Sequence, residues 1–202
     1  MMTHDRRVIR TKKLIREALA ELIGEKGFHA VSVRDITTRA AINRGTFYLH
    51  YQDKFDLLEQ CEKEVFAEIE AVAEKVDVQE MKHFLATNKP LPFIVSLLDY
   101  IKENAAFMHA VLGPNGDVSF QLAFKDYLKT NVGREVLQTA KEEDRLVPYD
   151  YLLSYLVSAH LGVIQEWLET GTKESPEEIS VYIARLSLLG PFQAAGLAKR
   201  KK

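Results

Sequence analysis

The chain has 202 residues, 47% hydrophobic and 28% charged, with ten Gly, six Pro and a formal net charge of -2. A globular chain of this size buries roughly 70% of its unfolded surface, so it needs neither disulfides nor a structural metal to hold a core. The composition excludes a disordered or collagenous chain, and no apolar run approaches the roughly 18 residues of a membrane span.

The apolar residues Ile15, Ala18, Leu19, Leu22 and Ile23 recur at three- and four-residue steps and predict a first helix from Arg10 to Lys26, closed by Gly27. Ser32, with Asp35 three positions later, forms an acidic variant of the capping box and opens a short second helix through Ala40. Ala41, Ile42 and Asn43 break the chain again. Asn43 is placed to cap a third helix from Arg44 to Tyr51. Asp53 caps a long fourth helix in which Phe55, Leu58, Val65, Ile69, Val72 and Val76 keep helical spacing. Residues 75–92 read as a loop, followed by helices over Leu91 to Leu112 and Val118 to Thr139, separated by Gly113, Pro114 and Gly116. Two apolar helices complete the chain, Tyr149 to Leu168 and Glu177 to Leu197, the second opened by Ser175, Pro176 and Glu178 as cap, first turn and capping-box acid. No alternating β-branched runs and no fixed-period repeat are found, so the expected class is all-α with about nine helices.

Residues 32–51 are two short helices joined by a tight turn, the pattern of a helix-turn-helix. On the second helix Phe47 can turn inward while Arg44, Thr46, Tyr48 and His50 present donors outward. Such a helix fits the major groove, where guanine accepts from arginine and the thymine methyl accepts apolar contact. Charge agrees: residues 1–54 hold eleven Lys+Arg against six Asp+Glu, or +5, and residues 55–202 therefore carry -7. A basic front on an acidic body suits a polyanionic partner. Each feature also has a plainer reading. Arg34 could pair with a neighbouring acid, Tyr48 could be core, and His50 could be a cation at a helix end. Ile36, Phe47, Leu57 and Leu58 are assigned to the core.

The run RDITTRAAINRGTFYLHYQDKFDLL resembles the amino-terminal domain of TetR-type transcriptional regulators, with Thr46, Phe47, Tyr48, His50, Tyr51, Lys54, Leu57 and Leu58 at the family spacing over about residues 10–58. Ala41 departs from the pattern, which usually has Gly in the turn; with a negative φ an alanine can still make it. The resemblance implies that Arg34 reaches a base edge and that Arg44, Gly45 and Thr46, with Asn43 beside them, set specificity. It further implies that Ser32, Tyr48, His50 and Lys54 hold phosphates. Residues 1–54 then form a three-helix DNA-binding domain and residues 55–202 a larger helical domain for dimerisation and effector binding.

In that second part Leu152, Leu156, Ala159 and Val163 on one helix, and Ile179, Ile183, Leu186 and Leu189 on the next, form stripes that a symmetry mate could cover. Phe93, Tyr100, Phe107, Phe120, Phe124, Tyr127 and Trp167 could line a pocket for a hydrophobic small molecule, with Asn104, His109 and Gln121 supplying polar specificity; the same spacing equally describes an aromatic core. No catalytic motif is present, and no Cys/His spacing fits a zinc site. One cysteine, Cys61, and a charged amino terminus without an apolar h-region point to the cytoplasm, and no cofactor is expected. The expected function is a dimeric regulator, a repressor in most of the family, binding a palindromic double-stranded DNA operator as a homodimer and released by an effector. The alternative is a DNA-binding coactivator whose carboxy-terminal domain docks a protein.

Overall fold

The computed structural model describes residues 2–73, 84, 87–133, 143 and 145–197. Ten α-helices occur among them, with no strand: α1 (Met2–Lys26), α2 (Val33–Arg39), α3 (Arg44–Tyr48), α4 (Lys54–Ala73), α5 (Pro92–Glu103), α6 (Ala105–Leu112), α7 (Val118–Tyr127), α8 (Tyr149–Glu169), α9 (Pro176–Leu188) and α10 (Pro191–Ala194). A 3-10 turn, Phe28–Ala30, precedes α2, and a π turn, Leu128–Gly133, follows α7. The chain divides into two compact units, Met1–Ala67 with Asn104–Phe124, and Glu68–Glu103 with Lys125–Lys202.

Several boundaries differ from the periodicity. α1 starts at Met2 rather than Arg10, since nothing in the first turns breaks a helix. The single helix expected over Leu91 to Leu112 is two, because Asn104 takes φ -110°, ψ 23° and a new helix begins at Ala105. Likewise α9 stops at Leu188, where Gly190 adopts φ 80° and Pro191, lacking an N–H, can only start the next helix. Phe55, counted in the apolar stripe of α4, is 56% exposed. Val76 and the end of the helix expected to reach Thr139 lie outside the described residues.

In the first unit, Ile15, Leu19 and Ile23 of α1 are fully buried together with Phe28, Ile36, Phe47 and Leu57. α6 packs along α1, burying Phe107, Met108 and Val111, and the Arg16 guanidinium lies 4.2 Å from the centre of the Phe107 ring while pairing with Glu64 at 3.4 Å. The loop after α6 is stitched to the end of α1: the Phe28 N–H donates to the Asn115 carbonyl at 3.2 Å, and Asn115 Nδ2 donates to the Gly24 carbonyl at 3.3 Å. Gln121 closes this loop from α7 by donating to the carbonyls of Val111 and Gly113, at 3.3 and 2.8 Å.

In the second unit, α5 packs on α9, with Phe84, Leu91, Phe93 and Ala184 forming a cluster beside Ser180. Ser180 is fully buried and satisfied, its hydroxyl accepting from the Leu91 N–H at 3.0 Å. α8 contacts α9, and Trp167, 2% exposed, donates its indole N–H to the Glu174 carbonyl at 3.1 Å.

The loop after α6 has no room for a side chain at Gly116, where a Cβ would stand 2.1 Å from the Val111 carbonyl oxygen. Gly116→Ala should therefore lower stability by about 1–3 kcal/mol, the usual range for overpacking, read as a shift of the urea unfolding midpoint.

Candidate nucleic-acid interface

The second helix starts on a complete capping box: Ser32 Oγ accepts from the Asp35 N–H at 3.2 Å, and the Ser32 N–H donates to Asp35 Oδ2 at 2.8 Å. Ser32 Oγ also donates to the same carboxylate at 2.6 Å, and Lys26 Nζ pairs with it at 2.8 Å. Lys26 first, then the Ser32 hydroxyl and amide, hold the Asp35 carboxyl well below the usual carboxylate range. The Ser32 hydroxyl, expected to meet a phosphate, is thus already engaged at the helix start. At the other end of α2, Arg39 bridges Glu21 and Glu25 of α1 at 2.7 and 2.8 Å. Arg34 differs from these cations. It is exposed in the first turn of α2 and its guanidinium has no partner among the described residues, although its carbonyl accepts from the Thr37 hydroxyl at 3.1 Å.

The turn between α2 and α3 is tighter than a negative φ allows, for Ala41 sits at φ 52°. That corrects the expectation of an ordinary backbone there: this alanine occupies the left-handed conformation that glycine normally supplies, at a cost of roughly 1–2 kcal/mol. The turn is closed by the Ile42 N–H donating to the Thr37 carbonyl at 3.0 Å. Asn43 then caps α3, its Oδ1 accepting from the Gly45 N–H at 2.8 Å.

On α3, Phe47 is fully buried while Arg44, Gly45 and Tyr48 face outward. Arg44 Nε and Nη2 both donate to the Tyr48 hydroxyl, at 3.2 and 3.0 Å, one helical turn along. The tyrosine therefore braces the guanidinium against the helix and leaves Nη1 free of that bond. Thr46 is half-buried. His50, also half-buried, follows the end of α3, with its carbonyl accepting from Gln60 Nε2 at 3.3 Å and its ring 6.2 Å from that of Tyr51.

Lys54 departs most from expectation. Its ammonium points into the head, donating to the carbonyls of Phe28 and His29 at 3.0 and 2.8 Å and lying 4.9 and 5.2 Å from the Phe28 and Phe55 ring centres. Burial lowers its pKa. It caps the 3-10 turn that carries the chain from α1 to α2. Cys61 is buried and its thiol is pushed up to about 12 by desolvation, so it is a core residue rather than a nucleophile. Among the described residues no group of His, Cys, Asp and Glu could hold a metal ion, and no helix is long and apolar enough to cross a membrane.

The ten pocket candidates fall into both units. In the first, Phe107 meets Phe120 edge-to-face at 6.2 Å and Phe120 stacks with Phe124 at 6.3 Å, all three buried; Gln121 is committed to loop carbonyls, Asn104 is half-buried at the start of α6, and His109 is exposed. In the second, Phe93 and Trp167 are buried, and Tyr100 and Tyr127 are half-buried. The stripe assigned to a partner subunit splits too. Ile179 and Ile183 are each 4% exposed within the single chain, packed inward from α9, and so leave that set. Leu152, Leu156, Ala159, Val163, Leu186 and Leu189 stay half-exposed, and Ala159, Gly162, Val163, Tyr182, Leu186 and Ala194 line an open groove of α8, α9 and α10. The sequence reading marks α9 as a dimer face but does not single out Tyr182, which is exposed on it; a tyrosine among aliphatic positions is the available signal.

Residues 15–61 match the family described as bacterial regulatory proteins, tetR family, and residues 88–188, half of the chain, match a transcriptional regulator C-terminal region. The chain belongs to the TetR family. Among curated relatives of this TetR-family chain, the uncharacterized HTH-type transcriptional regulator YxbF of Bacillus subtilis is 26% identical over 171 residues, 82% of this chain and 42% of YxbF. The HTH-type dhaKLM operon transcriptional activator DhaS of Lactococcus lactis is 29% identical over 101 residues, 50% of this chain and 48% of DhaS. The matches thus span less than half the length of these relatives. A TetR transcriptional regulator from Streptococcus agalactiae has the same fold, with a TM-score of 0.62 at 24% identity over 92% of this chain and 98% of that one.

If Lys54 works as a strut inside the head, Lys54→Ala should lower thermal stability by about 1 kcal/mol, the scale of solvent-screened charged hydrogen bonds. It should leave the salt dependence of nucleic-acid binding unchanged, which a titration of the variant across a salt series checks.

Proposed function

We propose that this chain is a sequence-specific DNA-binding transcriptional regulator acting as a homodimer. The observation that carries the reading is the presence together of Arg34 on α2, whose exposed guanidinium has no partner among the described residues, and the braced Arg44–Tyr48 couple on α3, on helices anchored by the fully buried Ile36 and Phe47. A guanidinium held by its helix at a fixed height suits the two acceptors of guanine in the major groove, while a floppy one would lose rotamer entropy on binding. Gly45 keeps the first turn of α3 bare, and Thr46 and His50 flank it. Arg34, Asn43, Arg44, Gly45 and Thr46 are the reading set in this proposal, with Tyr48 positioning Arg44 and His50 facing the backbone.

The half-exposed stripe of Leu152, Leu156, Ala159 and Val163 on α8, continued by Leu186 and Leu189, is the proposed dimer face. Exposed Tyr155 and Tyr182 adjoin it, and exposed Gly162 permits close helix approach. Two reading heads on a two-fold axis match a palindromic operator. Family membership supports repression relieved by a small hydrophobic effector as the first reading of its mode. The similarity to DhaS, named an activator, supports activation as the second reading, and a promoter fusion assayed with and without the protein separates the two signs.

Arg34→Ala and Arg44→Ala should each cost about 1–3 kcal/mol in discrimination between operator and random duplex, with operators first recovered by selection from genomic fragments. Equal discrimination by both variants and the parent would remove α2 and α3 as the reading elements. Leu186→Arg should shift the protein from dimer to monomer in sedimentation velocity, because a charge on an apolar interface has no partner. A variant that stays dimeric would place the interface elsewhere.

A further inference from the structure

The cations of the first unit differ in what engages them. Arg16, Lys26, Arg39 and Lys54 are spent within the unit, on Glu64, Asp35, Glu21 with Glu25, and two carbonyls respectively. Arg6, Arg7 and Arg10 are different: all three are exposed and none of their guanidinium groups has a partner among the described residues, the one hydrogen bond in this stretch being from the Thr11 hydroxyl to the Arg7 carbonyl at 2.9 Å. They lie on the part of α1 that precedes Ile15, the first of its described side chains to be buried, and that also precedes the family match at residues 15–61. In the first sixteen residues Asp5 is the only acid against six Lys and Arg. Arg6 and Arg10 are one turn apart, a spacing at which like charges destabilise a helix. This half-helix therefore carries an uncompensated repulsion that a polyanion would relieve.

Its place in the unit favours one polyanion. Lys12 lies 5.9 Å from the centre of the Tyr51 ring, and Tyr51 adjoins His50 just past the end of α3. The basic stretch thus departs from the end of the proposed reading helix, and Arg6 stands about 9 Å further along α1 than Lys12 at 1.5 Å per residue. Between Arg6 and Lys13 Ile9 is the one large apolar side chain that is exposed, at 61%, too little for the broad apolar face that insertion at a lipid surface requires.

We propose that the amino-terminal half of α1 is a second, sequence-independent DNA contact, in which Arg6, Arg7 and Arg10 neutralise phosphates flanking the site read by α3. The proposal rests on the DNA-binding reading above. It widens the footprint of each subunit by roughly three base pairs, taking about 9 Å against 3.4 Å per base pair along one strand.

The test compares the full chain with Arg6→Ala/Arg7→Ala/Arg10→Ala and with the control Lys89→Ala/Lys102→Ala/Lys173→Ala, which removes the same charge from exposed positions of the other unit. Alanine keeps the helix. Binding to mixed-sequence duplexes of about two and about three helical turns is measured between about 50 and about 200 mM salt. Losing three phosphate contacts should flatten the log–log salt slope by about 2.7, which shrinks the affinity drop over that range by roughly 40-fold per subunit. The parent should also bind the longer duplex with a steeper slope than the shorter one, and the arginine variant should not. Slopes that match in the parent and the arginine variant, or a change equal to that of the control, would overturn the proposal while leaving DNA binding intact. A parent that shows no salt-dependent binding to either duplex would overturn both the proposal and the reading beneath it.

Discussion

What α3 can offer to any ligand depends on the burial of Phe47, because a helix of five residues has too few internal hydrogen bonds to overcome its own nucleation cost. Fully enclosed, this ring meets Tyr51 at 5.5 Å and Tyr48 edge-on at 5.6 Å, so one buried group fixes the helix and also the tyrosine that steadies Arg44. The Asn43 cap supplies the remaining order at the other end. Core packing, rather than helix propensity, gives the outward face its geometry.

A second constraint is how the head distributes its positive charge. Counting Lys and Arg gives a basic domain, yet the structure shows that a cation at the start of α4, one at the end of α1 and one at the end of α2 serve internal joints. Lys54 ties α4 to the 3-10 turn, and Arg39 ties α2 to α1. The cations left over sit on α1 before its first buried residue, at the start of α2 and on α3. Net charge says that a surface is basic; only partners say which charges are available.

Local chemistry was the most legible part of the sequence. The Ser32–Asp35 and Ser175–Glu178 boxes and the Asn43 and Asp53 caps could all be read because each is decided within three or four residues. The apolar stripe of α1 was equally plain, all five of its predicted positions being buried. What escaped was set by tertiary neighbours. Periodicity marks Ile179, Ile183, Leu186 and Leu189 as one stripe, but whether α8 of the same chain or open space lies opposite each residue is not written in the spacing. The inward turn of Lys54 needs carbonyls supplied 26 and 25 residues earlier. Ala41 departs from expectation for another reason: a backbone can be forced into a strained basin when the helices on both sides are held by core residues.

Trp167 is the only tryptophan in the chain, and it lies in the second unit, sealed from solvent beside the Glu174 carbonyl. Its emission is consequently a private reporter of α8 and its surroundings. Melting followed by that fluorescence alone will be silent on the first unit, whose order has to be watched through backbone dichroism or amide exchange. Any disagreement between the two signals then becomes a direct measure of whether the halves of the molecule lose their structure together.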